Sequence, residues 1–292
     1  MRPLPRRRFH LVKFLAFFSQ LRWYHLSLLL FGQYLAAVYV FGTGDHRWAA
    51  LLVNRGAQLV IWSSAFILSF GFLINSFYDQ ERDQINRPKQ TALERLVRRK
   101  TSLRIALVFL LIGLSMSAWV SWRAFVYMLL YGLGLWFYSH KLRKIPLLGH
   151  AAAAVLGLVP FFGLSVFYDF IHLHTLAFGL LLGLVLFSRE LLKDLLYLKG
   201  DIIMGVNTVA SEYGERKTHI ALLINTTLGW IPAFFTHTWF SRPAQLGIVA
   251  ILAVLTVSNI QIIRGSSLTQ LRWAHLGYKV ILILGILTIP FL

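Results

Sequence analysis

The 292-residue chain contains no cysteine. That excludes disulfides, thiolate nucleophiles and zinc or iron–sulfur centres built on sulfur ligands. Charge is scarce too: Asp, Glu, Lys and Arg make up 14% of the chain, little more than half the share found in soluble domains. Acids are scarcest, 11 against 29 Lys and Arg. Apolar residues take the remaining space, at 57% hydrophobic and 15% aromatic, with a mean hydropathy of +0.65. This balance excludes a soluble globular enzyme, a disordered chain and a coiled coil, and indicates a polytopic membrane protein.

Hydropathy along the chain places candidate spans at 23–41, 57–78, 105–121, 124–139, 147–168, 173–188, 218–236, 244–263 and 273–291. The expected fold is therefore an all-α bundle of nine transmembrane helices. The third and fourth spans are separated only by Ser121-Trp122-Arg123, which requires a tight turn. Residues 1–22 open with Arg2, Arg6, Arg7 and Arg8 and continue into a short apolar stretch. No small-residue cleavage site follows, so an amphipathic surface helix is expected rather than a signal peptide. Residues 23–292 are expected to form one membrane domain.

With the N-terminus on the cytoplasmic side, 24 of the 29 basic residues fall inside and four outside, leaving Lys279 within the last span. That bias agrees with the positive-inside rule, and Lys279 is expected to snorkel to the inner interface. A net charge of +18 would suggest nucleic acid in a soluble protein. Here the basic flanks meet anionic lipid headgroups, and no nucleic-acid partner is expected.

Most acids share the inner side, although carboxylates contribute little to topology. They form two clusters. At the inner end of the second span, Asn75, Asp79 and Asp83 recur at i, i+4 and i+8, so one helical face presents all three. Like charges one turn apart repel unless a cation lies between them. Mg²⁺ suits that role, because it binds one or two carboxylates and completes its shell with water and phosphate. Leaving the sixth span, Glu190, Asp194, Tyr197 and Asp201 fall on one helical stripe, with Arg189 and Lys193 beside it. Gly200 is expected to bend or end that helix. Both clusters sit at inner ends, as expected if they face a shared cytoplasmic cavity.

These residues resemble the UbiA superfamily of intramembrane prenyltransferases. Asn75-x-x-x-Asp79-x-x-x-Asp83 is similar to its first aspartate-rich motif, and Arg189 to Asp201 with Gly205-Val-Asn-Thr208 to its second. Tyr138-Ser139 through Arg143 and Pro146-Leu-Leu-Gly149 extend the likeness. Asp79-x-x-x-Asp83-x-x-Asn86-Arg87-Pro88 and Arg22-Trp23 look most like the branch containing digeranylgeranylglyceryl phosphate synthases. Departures are Tyr197 in place of an acid, Asn207 in place of Lys, His25 in place of Asn and Arg143 in place of Lys.

The resemblance implies a nine-helix fold and transfer of a prenyl group, geranylgeranyl by the branch, from its diphosphate to a lipophilic acceptor such as a glycerophosphate lipid. It implies Mg²⁺ on Asp79, Asp83 and Asp201, with Asn75 and Asp194 also in the catalytic set. Arg22, Arg87, Arg143, Arg189 and Lys193 are the expected diphosphate partners. Tyr78, Tyr138 and Tyr197 are the expected stabilisers of an allylic cation through their π faces. The expected setting is a bacterial inner or plasma membrane, with the site facing the cytoplasm. An aromatic acceptor, and a non-catalytic prenyl-diphosphate binder, remain open. A transporter is disfavoured because the acids lie at helix ends rather than at the bilayer midplane.

Overall fold

The computed structural model describes residues 6–42, 47–265 and 267–292. Arg2 and Asp45 lie outside the described residues. Twelve α-helices follow in order: α1 (Arg6–Gln20), α2 (Trp23–Tyr39), α3 (Arg47–Val53), α4 (Arg55–Asn86), α5 (Pro88–Glu94), α6 (Arg99–Val120), α7 (Trp122–His140), α8 (Leu148–Tyr168), α9 (Leu173–Ile203), α10 (Val209–Thr236), α11 (Arg242–Arg264) and α12 (Leu268–Thr288). No strand occurs among the described residues.

Each of the nine expected spans falls on one of these helices, and seven helices are long and apolar enough to cross a membrane. The other two are α2 and α7. α2 has 17 residues, just under a full span, and α7 carries two Trp, three Tyr, a His and Arg123 within 19 residues. Aromatics of that kind favour membrane–water interfaces and lower the hydropathy of a helix that reaches them.

Local chemistry sets the helix boundaries. Asn54 caps α4 by accepting from the Ala57 N–H at 3.1 Å, and Pro88 stops it, since the residue before proline disfavours helical dihedrals. Ser121 makes the tight α6–α7 turn in an extended conformation, accepting from the Ala124 N–H at 3.1 Å. Gly214 (φ 82°) breaks α10 near its start.

α4 is the central helix, packed against α2, α6, α7, α8 and α9. Small residues permit the approach: a Cβ at Gly113 of α6 would lie 2.6 Å from Ile67, and Ser63 donates to the Gly113 carbonyl at 2.7 Å. Such pairs are the usual means of packing helices in lipid. α6 turns Leu107, Val108 and Leu111 outward, where hydrocarbon would cover them. Pro160 interrupts the hydrogen-bond ladder of α8. Neighbouring helices reach the backbone there, Gln33 donating to the Pro160 carbonyl and Tyr127 to the Val159 carbonyl, each at 2.7 Å.

α1 is helical and lies against α2, α4 and α5. Ser19 donates to Glu94 at 3.0 Å and Ser102 to Gln20 at 2.9 Å, while Phe14, Leu15 and Phe18 are exposed. Gly200 neither bends nor ends α9, which continues to Ile203. Its role is close approach: a Cβ there would sit 2.3 Å from Asn86 Oδ1, which accepts from the Gly200 N–H at 3.2 Å. This contact holds the ends of α4 and α9 together and brings the two acidic clusters face to face.

Candidate active site

A cavity of about 630 Å³ opens among α2, α4, α7, α8, α9 and α12. Its mouth is polar. Its inner part is lined by Leu68, Phe72, Leu156, Phe161, Leu186 and Ile286 and reaches Gln33. Along α2, from Arg22 at the mouth to Gln33, eleven residues cover roughly 16 Å. Few polar groups converging at one end of an apolar pocket mark a ligand site.

On the α4 side each acid at the cavity mouth has a basic partner. Asn75 Nδ2 donates to Asp79 Oδ2 at 2.7 Å, Arg143 pairs with the same oxygen, and Arg143 Nη1 donates to Asn75 Oδ1 at 3.1 Å. Asp83 pairs with Arg87. Asp201, with no exposed surface, accepts from both Arg82 Nε and Arg82 Nη2, the latter at 2.7 Å. Asp194 Oδ2 accepts from His150 Nε2 and from the Val209 N–H, each at 2.9 Å. Glu190 pairs with Lys193, with Arg189 at 3.8 Å.

Several polar atoms lack partners. Arg87 Nε, Arg189 Nε, and Nδ1 of His25, His150 and His275 are buried without a hydrogen bond. Arg22, in a left-handed backbone conformation (φ 49°) at the α1–α2 joint, has its guanidinium 5.3 Å from the Phe72 ring and forms no ion pair among the described residues. Burial lowers its pKa, and repulsion from Arg87 and Arg189 adds to the effect. Burial, with repulsion from Arg22, likewise brings Arg143 down to about 10. Arg143 remains charged at neutral pH, and basic side chains outnumber acidic ones at the mouth, which suits it to a polyanion.

Most of the expected residues come together here. Asn75, Asp83, Asp194, Arg22, Arg87, Arg143, Arg189, Lys193, Tyr138 and Tyr197 line the cavity, with Asp79 and Asp201 just behind them. Tyr78 does not join them. It is one residue, about 100° of helix, from Asp79, is 41% exposed, and packs against Phe77 and His140. Tyr197, which replaces an acid, lies 6.0 Å from the Arg82 guanidinium and 5.8 Å from that of Arg87, giving both a π face. Asn207 is exposed outside the cavity. The sequence reading missed Arg82, His150, His275 and the inward placement of Lys279. Their one available signal was helical spacing: His275, Lys279, Leu282 and Ile286 form a single stripe on α12.

The donor set bears on the implied metal. Among the described residues no three acids or histidines gather as a metal cluster. Mg²⁺ needs only one or two carboxylates when a phosphate supplies further oxygens, and Asp79 and Asp83, one turn apart, fit that requirement. Asp201 does not, because Arg82 engages both of its oxygens.

A helical membrane bundle with a cationic, carboxylate-bearing mouth over a hydrocarbon-lined interior defines an enzyme class that handles phosphorylated lipids within the bilayer. The model of the UbiA prenyltransferase family matches residues 30–278, and the chain belongs to that family of prenyltransferases. It is 29% identical over 223 residues to a digeranylgeranylglyceryl phosphate synthase of Sulfurisphaera tokodaii, covering 74% of this chain and 80% of the relative. Among solved structures, one concerning digeranylgeranylglyceryl phosphate synthase in membranes has a TM-score of 0.70 at 18% identity, covering 95% of this chain and 97% of the other. A UbiA homologue from Archaeoglobus fulgidus bound to DMAPP and Mg²⁺ has a TM-score of 0.66 at 17% identity, covering 95% and 100%.

Proposed function

We propose that the chain transfers a geranylgeranyl group from its diphosphate to a hydroxyl of a glycerophosphate-type lipid. The observation that carries this reading is the cavity of about 630 Å³, whose cationic mouth continues into an apolar interior suited to a prenyl tail. The naming of the Sulfurisphaera relative supports the acceptor class. We also take the protein to cross the membrane nine times, with residues 1–22 on the cytoplasmic surface and the mouth facing the cytoplasm, on the strength of the basic-residue bias.

The difficult event is departure of diphosphate, which leaves negative charge on oxygen and an allylic cation at carbon one. Arg87, Arg143, Arg22 and Lys193 surround the place where that charge develops, and preorganised donors stabilise it. Asp79 and Asp83 would hold Mg²⁺, which supplies Lewis-acid stabilisation of the leaving group when bound. Asp201 keeps Arg82 extended under the mouth, and Tyr197 offers its π face beside the arginines. The Tyr138 ring lines the cavity and is assigned to the cation through its π face. The apolar lining keeps water from the cation.

The acceptor oxygen then bonds to carbon one of the allylic cation, the electron pair of the broken C–O bond having left with diphosphate, and its proton must be taken up. His150 donates from Nε2 to Asp194, so in the neutral ring Nδ1 carries a lone pair, and that atom has no other partner. His150 Nδ1 takes the acceptor proton, with Asp194 orienting the ring. Incubation with geranylgeranyl diphosphate, Mg²⁺ and a glycerophosphate lipid should release diphosphate and form an ether. Donor binding without release would instead support a non-catalytic binder.

A further inference from the structure

Lys279 lies in the middle of α12, eleven residues from the start of that helix, and its side chain faces the cavity. The rotation of α12 is fixed by its other contacts. A Cβ at Gly277 would lie 2.3 Å from Ser258 Oγ of α11, and Tyr278 donates to Asn259 of α11 at 2.6 Å. His275 and Lys279, one turn apart, therefore point away from α11 and into the cavity. Ammonium groups within a membrane domain are costly and ordinarily have an acidic partner or a ligand. Lys279 has no ion pair among the described residues; its ammonium lies 5.8 Å from the Tyr24 ring centroid.

Other unsatisfied donors surround it. Arg189 Nη2 lies 3.1 Å from His25 Nε2. A guanidinium can only donate, so His25 is neutral with its proton on Nδ1. That N–H is buried and has no acceptor, as are Arg189 Nε and the Tyr24 hydroxyl. Both His25 and His275 lie within electrostatic range of Arg189 and Lys279. The one acid near this wall, Glu190, is already bound by Lys193. α2, α9 and α12 thus present Lys279, which has no ion pair among the described residues, and Arg189, whose contact with Glu190 is long at 3.8 Å, beside several unused donors. On the opposite wall each acid is matched by a base.

We propose that Lys279, His275, His25 and Arg189 form a second anion site that holds the phosphate of the acceptor, separate from the diphosphate site at Asp79, Asp83 and Arg143. The inference rests on the prenyl-transfer reading and adds to it the residues that hold the acceptor's phosphate. A phosphomonoester is close to doubly charged above its second pKa of about 6, which suits a site carrying both Lys279 and Arg189. The carboxylate of an aromatic acid brings a single charge. Phosphate held against α12 also leaves the glycerol hydroxyl free to turn toward His150 across the cavity.

The test uses Lys279→Met and His275→Gln in the full-length protein, with geranylgeranyl diphosphate as donor. The acceptors are a prenylglyceryl phosphate, its dephosphorylated alcohol and 4-hydroxybenzoate. For the phosphorylated acceptor, Lys279→Met should raise KM about tenfold or more (of order 1.4 kcal/mol per tenfold), with donor KM within twofold of wild type. For the alcohol, variant and wild type should behave alike. Removing a buried charge that lacks a partner should also leave the ligand-free Lys279→Met protein at least as heat-stable as wild type. Phosphate-bearing lipid should stabilise wild type more than this variant, without donor present. Equal losses with phosphate and alcohol acceptors, a shifted donor KM, or a selective loss with 4-hydroxybenzoate would overturn the site. Absence of transfer to every acceptor by wild type would defeat the prenyl-transfer reading itself, whereas lipid-induced stabilisation would still report on the anion site.

Discussion

The two walls of the cavity solve the problem of buried charge in opposite ways. On α4, with the α7–α8 turn and the end of α9, Asp79, Asp83 and Asp201 are each held by an arginine. At the start of α2 and on α12, Arg22 and Lys279 form no ion pair among the described residues. The first wall is neutralised when empty and must exchange partners when substrate and metal arrive. The second keeps its charge uncompensated and gains stability only when an anion arrives. A stable ligand-free protein and an affinity for anions are thus assigned to different surfaces of one cavity.

That contrast is broken most severely at Arg82. Arg82→Met strands the fully buried Asp201 carboxylate and should cost about 3–5 kcal/mol of stability, whereas Arg82→Met combined with Asp201→Leu should recover most of it. Thermal or denaturant unfolding of the purified protein measures both. If the single variant is as stable as wild type, Asp201 is not held as described. Asp79→Asn and Asp83→Asn should each lower transfer on the order of a hundredfold or more, and full activity in excess chelator would remove the metal from the account.

His150→Gln keeps a hydrogen bond to Asp194 but loses the proton acceptor. We expect kcat to fall by on the order of a hundredfold with KM for both substrates nearly unchanged; a rise in KM alone would make His150 a structural tie between α8 and α9. The smallest effect is expected at Tyr197. Phenylalanine preserves the π face, so Tyr197→Phe should resemble wild type, and Tyr197→Leu should lose about 0.5–2 kcal/mol of arginine placement, visible as a several-fold change in donor KM. Equal behaviour of the two variants would show that the ring is not what matters.

The first acidic cluster was legible because i, i+4, i+8 spacing fixes a helical face before any tertiary contact is known, and the stripe leaving the sixth span was legible for the same reason. Arg82 was not. In the sequence it is one of many basic residues in a flanking segment, and its partner Asp201 lies 119 positions away. Gly200 looked like a helix breaker because the requirement it meets, close contact with Asn86, belongs to another helix. Tyr78 sits beside Asp79 in sequence yet turns outward, since adjacent residues on a helix point about 100° apart. Lys279 looked like an interfacial lysine because hydropathy gives depth without rotation; the direction it faces is set by the contacts of Gly277 and Tyr278 with α11.

The most direct test of the account is a competition assay. Isotopically labelled geranylgeranyl diphosphate and Mg²⁺ are supplied to the wild-type protein with equal amounts of a prenylglyceryl phosphate and several aromatic acids, and the products are identified by mass. The account predicts label in an ether bond to the glycerophosphate lipid, with diphosphate released in equal amount. Label confined to an aromatic acceptor, or donor bound with no diphosphate released, would contradict it.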